Sequence, residues 1–365
     1  MRKLERIVRR EESAESNRLC REAKIKIKEI GQMKKLHLSL LFFVLTAILI
    51  IGTVQGAEKT VTLRYAHMNA DSSVAGIQAT LFAQLVEKYT KGQVKILVYP
   101  NSQLGNLQQV TEAVSTGSIA ICHNTMAAIG SLYEDFGALD TPYLYRDVNH
   151  LMKVCSPDSP IMKELNAGLV KSHNARVLYT FYFGTRHLTS KKAIYTPADL
   201  KDLRIRAIPF PIYTATVEGM GAVAVPLDWS ETPAALASGT INGQENPIDT
   251  IYSGKLYDVQ SHLMLTGHIM AAEAVIMNQD VWQDFSPAIR QAIQKAAAET
   301  SKKATALTSE KEAEELAQLK DKGMIVIGPN NGLKIDVFKK AVTNEVNKRF
   351  GAKYGKLYKE IQAVK

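Results

Sequence analysis

The stretch LRIRAIPFPIY, Leu203 to Tyr213, sets two arginines, Arg204 and Arg206, between the apolar Leu203, Ile205 and Ala207 until Pro209 and Pro211 end the pattern. A guanidinium here is either a solvated charge on a strand face or a fixed cation for an anionic ligand. Period-two alternation puts both arginines on one side of a strand, which by itself is the pattern of solvent-facing charges. Three other groups follow strand-like runs: Arg186 after the run ending at Phe183 and Gly184, Trp229 just past AVAVP, and Asn246 after ASGTINGQE. Ligands of open α/β sheets collect outside the carboxyl ends of strands, so these groups form a site if the fold makes them converge.

Catalytic chemistry has no comparable motif behind it. His67, His123, His150, His173, His187, His262 and His268 are scattered, with no HExxH and no helical His pair, and buried histidines are ordinarily satisfied structural residues. There is no GxSxG elbow, Walker loop or GxGxxG, and GMGAVAVP precedes its strand rather than following it. Cys122 and Cys155 belong to no CxxC pair or metal-ligand spacing and read equally as two buried thiols or as a disulfide. No cofactor or metal is expected. An exported enzyme acting on a small acid is a second reading, one that lacks an identifiable base or nucleophile. A ligand sensor is a third.

The elements that must position these groups alternate. VTLRYAHM reads as a strand, Ser72 or Ser73 as the cap of a helix carrying Ile77, Leu81, Phe82, Leu85 and Val86, and VKILVYP as the next strand. That is a βαβ unit, hence a parallel sheet and an α/β class. A helix over Leu107 to Ser115, the strand SIAICHN, a helix from about Asp147 and a long strand over Ala175 to Ser190, changing character at Gly184, continue the pattern. After LRIRAIP come a helix over about Ile212 to Met220, AVAVP, a capped helix with a strand to Pro247, and the strand AAEAVIMNQDVW beyond a break at Gly267. Pro287 to Leu319 is almost free of Gly and Pro and reads as one helix long enough to brace two lobes. MIVIGP is a last strand, and Ile335 to Phe350 and Tyr354 to Val364 read as two terminal helices.

The chain has 365 residues and a formal charge of +9, with 46% hydrophobic and 22% charged residues, an ordinary globular composition long enough for two domains. The positive excess gathers before Glu58, and the remaining body carries only about +3, too little to argue for a nucleic-acid partner. MKKLHLSLLFFVLTAILIIGTVQGAEKT has the basic start, apolar run and small residues of a secretory signal at 33–57, cut after Gly56 or Ala57. No stop-transfer charges follow, so no stable membrane insertion is expected after cleavage. Met33 reads as the true start and 1–32 as an upstream extension, or else as a long basic leader.

From about Val61 to the end, the body resembles the solute-binding proteins of tripartite ATP-independent periplasmic (TRAP) transporters, of the C4-dicarboxylate-binding type. The resemblance lies in YPNSQLG (Tyr99 to Gly105), FGTRHLTS (Phe183 to Ser190), PADLKDLRIRAIP (Pro197 to Pro209), VAVPLDWSETPAAL (Val223 to Leu236) and SGTINGQENP (Ser238 to Pro247). It implies a two-lobed α/β fold with a long helix bridging both lobes and a ligand cleft between them, no enzymatic activity, a periplasmic location and TRAP membrane permease subunits as partners. Lobe I would take 58–183 plus 271–311, and lobe II 184–270 plus 312–365. It further implies that Arg206 is the principal anchor for a ligand carboxylate, with Arg186, Trp229 and Asn246 beside it. A planar fork with two parallel donors suits that task, where lysine would give charge without the geometry. Thr125 and Pro209 replace an acidic residue and an asparagine of sialic-acid-binding relatives, which points to a smaller acid: a C4-dicarboxylate, a 2-oxo or hydroxy acid, a sugar acid or an aromatic acid. His67, Met68, Asn69, His123, Asn124 and Thr125 would tune that choice.

Overall fold

The structure, a computed structural model, describes residues 9, 14–35, 39 and 60–365. Residues 1–59 and 60–365 are separate units. In the first, 14–35 is a helix carrying an Arg18 to Glu22 pair at 3.2 Å, one turn apart. Nearly all of the signal segment expected at 33–57 lies outside the described residues. Among the described residues no helix is long and apolar enough to cross a membrane.

The second unit is built on one sheet of nine strands: β1 (Val61–Ala66), β2 (Val94–Tyr99), β3 (Ile121–Thr125), β4 (Ala175–Ser190), β5 (Arg204–Ala207), β6 (Val223–Pro226), β7 (Gly243–Pro247), β8 (His262–Asn278) and β9 (Ile325–Ile327). Their order is β2-β1-β3-β8-β4-β7-β5-β6, with β9 against β8. Between and after the strands run α1 (Val74–Tyr89), α2 (Leu107–Ser115), α3 (Met126–Ile129), α4 (Val148–Cys155), α5 (Pro160–His173), α6 (Pro211–Gly219), α7 (Thr232–Ser238), α8 (Ile248–Ser253), α9 (Gln279–Asp284), α10 (Pro287–Asp321) and α11 (Ile335–Ala363).

The expected βαβ unit is present: β1 and β2 pair in parallel, Leu63 beside Ile96, with α1 as the crossover. Helix α1 starts where it does because Ser73 Oγ accepts the Gly76 N–H at 3.0 Å, satisfying one of the free donors of the first turn. Its Phe82 packs on Tyr179 of β4 at 5.0 Å between ring centroids, which fixes the helix to the sheet.

Strands β4 and β8 organise the rest. They pair antiparallel along almost their whole length; β8 also meets β3 at one end, 273–277, and β9 at the other, 262–264, and β4 meets β7 at 186–190. One half of the sheet is therefore β2-β1-β3 and the other β7-β5-β6, joined only by this pair. The register shifts between Tyr182 and Gly184, where Gly184 takes φ +124° and a β-carbon would stand 2.7 Å from Pro247 Cβ. Helix α10 runs beside β4 across this point: Thr308 Oγ1 donates to Tyr182 O at 2.8 Å and the Thr185 N–H donates to Glu312 at 2.9 Å. Its other faces pack on α1 and α8, so it does brace both halves of the sheet.

Three features depart from the sequence reading. β8 begins at His262, well before AAEAVIM, because Gly267 is accommodated within the strand at φ +53°. The two terminal helices are one, α11, since Gly351 and Gly355 cost helix propensity without breaking a helix held by Phe338, Val342, Val346 and Tyr354. Helix α5, capped by Ser159 with Pro160 in its first turn, was not anticipated. Cys122 and Cys155 are buried and unpaired.

Candidate functional site

Strand β5 separates the two arginines by position. Arg204 opens the strand, exposed, with Nη2 donating to Gly239 O at 3.0 Å. Arg206 lies two residues on, 1% exposed, at the carboxyl end where Pro209 turns the chain away and Pro211 begins α6. Its Nε donates to Leu227 O at 2.8 Å, its one hydrogen bond to protein among the described residues. Burial pulls the Arg206 guanidinium down to about 10, with Glu245 opposing and Arg186 adding to the fall.

Arg186 is held differently. On β4, opposite Pro247 of β7, it donates from Nε to Glu245 Oε2 at 2.6 Å and from Nη2 to Glu245 Oε1 at 2.9 Å, to Glu245 O at 2.8 Å and to Asn246 Oδ1 at 3.0 Å. The Tyr213 ring lies 5.2 Å from the guanidinium. Glu245 also meets His268 Nε2 at 2.9 Å. Burial would raise the Glu245 carboxyl, but Arg186 and His268 hold it at about 2. Arg186 is thus ion-paired within the protein, whereas Arg206 has no salt-bridge partner among the described residues and feels Glu245 and Asp228 only at longer range.

These groups meet at a cavity of about 40 Å³ at the carboxyl ends of β5 and β7. Asn69, Thr125, Arg186, Arg206, Trp229 and Asn246 line it, together with Met68, Leu107, Phe183, Ile208, Thr250 and Glu273. Three residues expected here, His67, His123 and Asn124, are not on its wall. The Asn124 amide is committed to Leu107 O at 2.8 Å and Thr111 Oγ1 at 2.9 Å. His67 stacks on His123 at 4.7 Å, its ring nitrogens have no hydrogen-bond partner among the described residues, and burial lowers its pKa to about 4, which favours the neutral ring. His123 connects the wall to the core, meeting Asn69 Oδ1 at 3.1 Å through Nε2 and Tyr65 at 2.9 Å through Nδ1. A larger open groove between α10 and the segment 147–158 has Lys302 as the one cation among its described lining residues, so it offers no comparable anion site.

The fold and this arrangement agree with what the chain is similar to. Residues 65–353 match the family of bacterial extracellular solute-binding proteins, family 7. The chain belongs to this family, the TRAP solute-binding proteins. A solute-binding protein of Verminephrobacter eiseniae is 33% identical over 296 residues, covering 81% of this chain and 88% of the relative. The 2,3-diketo-L-gulonate-binding periplasmic protein of Escherichia coli is 30% identical over 290 residues, covering 79% and 87%. A TRAP periplasmic solute-binding protein from Bordetella bronchispeptica, with density assigned as pantoate, superposes with a TM-score of 0.78 at 30% identity, covering 84% of this chain and 100% of that one. The architecture is accordingly the two-lobed α/β fold of TRAP solute-binding proteins.

Within this TRAP site, Glu245, His268 and Glu273 were not anticipated. Each had a signal: Glu245 sits inside GQENP, and Glu273 interrupts the apolar run AAEAVIM, where a carboxylate in a central strand is out of place unless it has a task. His268 had only its place near the Gly267 break.

Proposed function

We propose that the protein captures a small organic acid in the periplasm, having been exported by the 33–57 signal, and delivers it to the membrane subunits of a TRAP transporter. Arg206 anchors the ligand carboxylate through its two terminal nitrogens. Arg186 positions Asn246 through their hydrogen bond, Trp229 covers the ligand, and Asn69 and Thr125 face it from the β1 and β3 side. The observation that carries this reading is the contrast between a buried Arg206 with one side-chain hydrogen bond to protein among the described residues and a buried Arg186 ion-paired to Glu245 through Nε and Nη2. A desolvated guanidinium without an anion is costly, so acid binding and closure of the cleft are coupled. The relatives' ligands, 2,3-diketo-L-gulonate and pantoate, are both carboxylates, which supports the same class here.

The cavity of about 40 Å³ is narrow for an organic acid, and parting of the two lobes would admit one. Hinge points at 183–184 and 270–271, dividing 58–183 plus 271–311 from 184–270 plus 312–365, suit the register shift at Gly184. A binding protein rather than an enzyme is the reading that family membership supports. A thermal-shift screen of organic acids tests it, since a ligand of the native state raises Tm by mass action. A raised Tm with the acid recovered unchanged is the expected result, and turnover of the acid would overturn it.

A further inference from the structure

Glu273 is the wall residue that carboxylate anchoring leaves unused. It stands on β8 opposite Thr125 of β3 and Phe181 of β4, 4% exposed, and its Oε2 has no hydrogen-bond partner among the described residues. His123 Nε2 is 3.5 Å away, but it is nearer Asn69 Oδ1 at 3.1 Å, and burial together with His67 holds the ring well below its ordinary pKa, so it brings no positive charge. A buried carboxyl oxygen with no partner is costly until something completes it.

Charge counting on the same wall restricts what that can be. The charged lining residues are Arg186, Arg206 and Glu273, and Arg186 is already balanced by Glu245. Arg206 remains as the wall cation with no salt-bridge partner among the described residues, enough for one ligand carboxylate. In the sheet, β4 and β7 lie between β8 and β5, which separates the strands of Glu273 and Arg206 by about 14 Å at the usual inter-strand spacing. A second ligand carboxylate at the Glu273 side would be desolvated beside a carboxyl, with Arg186, already ion-paired to Glu245, as the nearby cation. A hydroxyl group meets no such penalty, because it donates to a carboxylate and accepts from a carboxylic acid.

We propose that Glu273 is a specificity-determining residue that hydrogen-bonds a hydroxyl of the ligand remote from Arg206, so that the site takes polyhydroxy monocarboxylates in preference to C4-dicarboxylates. This rests on the anchoring role given to Arg206. Burial raises the Glu273 carboxyl to about 8, with Arg186 opposing and Asp140 and Asp249 adding, so a hydroxyl bonds it in either form, whereas a ligand carboxylate bonds only the protonated form and is repelled by the ionised one.

Calorimetry on the mature protein with D-erythronate, L-galactonate, D-glucuronate and succinate tests it. The tightest polyhydroxy acid is expected to bind about 10-fold or more tighter than succinate, the value of one additional hydrogen bond to a charged or polar buried group. Glu273→Ala should weaken that acid by about 10-fold while changing succinate by less than about 3-fold, and Glu273→Gln, which keeps a hydrogen-bonding group, should recover part of the loss. Succinate binding as tightly as the polyhydroxy acids, or Glu273→Ala weakening all four equally, overturns the role of Glu273 while Arg206→Lys still weakens every acid. Indifference of all acids to Arg206→Lys, or binding of none of them, overturns the anchoring reading and this one with it.

Discussion

Glu245 grips Arg186 through Nε–Oε2 at 2.6 Å and Nη2–Oε1 at 2.9 Å, with both side chains 1% exposed. The pair fixes the chemical difference between the two buried arginines: Arg186 is ion-paired within the protein, and Arg206 has a single side-chain hydrogen bond, to Leu227 O, among the described residues. Removing one partner strands a buried charge. Glu245→Gln is therefore expected to destabilise the fold by about 3–5 kcal/mol, whereas the apolar double change Arg186→Met with Glu245→Leu should cost less than the single one. Urea unfolding of the three variants measures this, and a single variant no worse than the double would mean the pair is not the fixed charge described.

Arg206→Lys should leave the fold intact and weaken acid binding by about 10- to 100-fold, because ammonium cannot supply two parallel donors to a carboxylate. Arg204→Lys, at the exposed start of the same strand, should bind acids as the parent does. Calorimetry on both decides it, and equal losses would show that position along β5 does not distinguish them.

Two glutamates give the pH profile of stability opposite slopes. Glu245 falls from 4.5 to about 2 in the fold, so the unfolded chain takes up its proton first; this contribution is complete above about pH 4.5 and is lost as pH drops through about 2. Glu273 rises from 4.5 to about 8, so the folded chain holds its proton longer; this contribution is complete below about pH 4.5 and is lost as pH climbs through about 8. Asp140, raised to about 6, and Glu315, raised to about 7, act in the same direction as Glu273. In a pH series of denaturant unfolding, Glu273→Gln is expected to flatten, without abolishing, the alkaline fall and to leave the acid limb unchanged. An unaltered alkaline slope would count against the raised carboxyl.

Gly184→Ala should destabilise by about 1–3 kcal/mol, because φ +124° disfavours any side chain and the added carbon meets Pro247 Cβ at 2.7 Å. If the lobes hinge there, the substitution should also change the rate of acid binding in stopped-flow fluorescence, Trp229 being on the cavity wall. A Tm within a degree of the parent would show that the strand absorbs the change.

Much of the fold was legible because local physics sets it. Ser73 caps α1, Asn106 and Gln109 form a capping box on α2, and the helix-favouring run from Pro287 gives a single long helix. What escaped depended on partners distant in sequence. Nothing around Gly267 announces a strand that continues through it, since its pairing comes from β4, and Gly351 and Gly355 look like stops until α6 packs against the same helix. The site divided in the same way. Residues at strand ends were visible from spacing, whereas Asn124 turned inward because Leu107 and Thr111 offered its amide two acceptors.

The sequence by itself determined the α/β alternation, the long bracing helix, the placing of Arg206 at a strand's carboxyl end before a proline turn, and the family signatures around it. Only the tertiary structure decided which arginine is ion-paired within the protein, because the Glu245 that pairs with Arg186 lies 59 residues away and reaches it through the register of β4 against β7. It likewise decided that Glu273, one acid in an apolar run, faces the cavity, since strand pairing rather than composition sets where a buried side chain points.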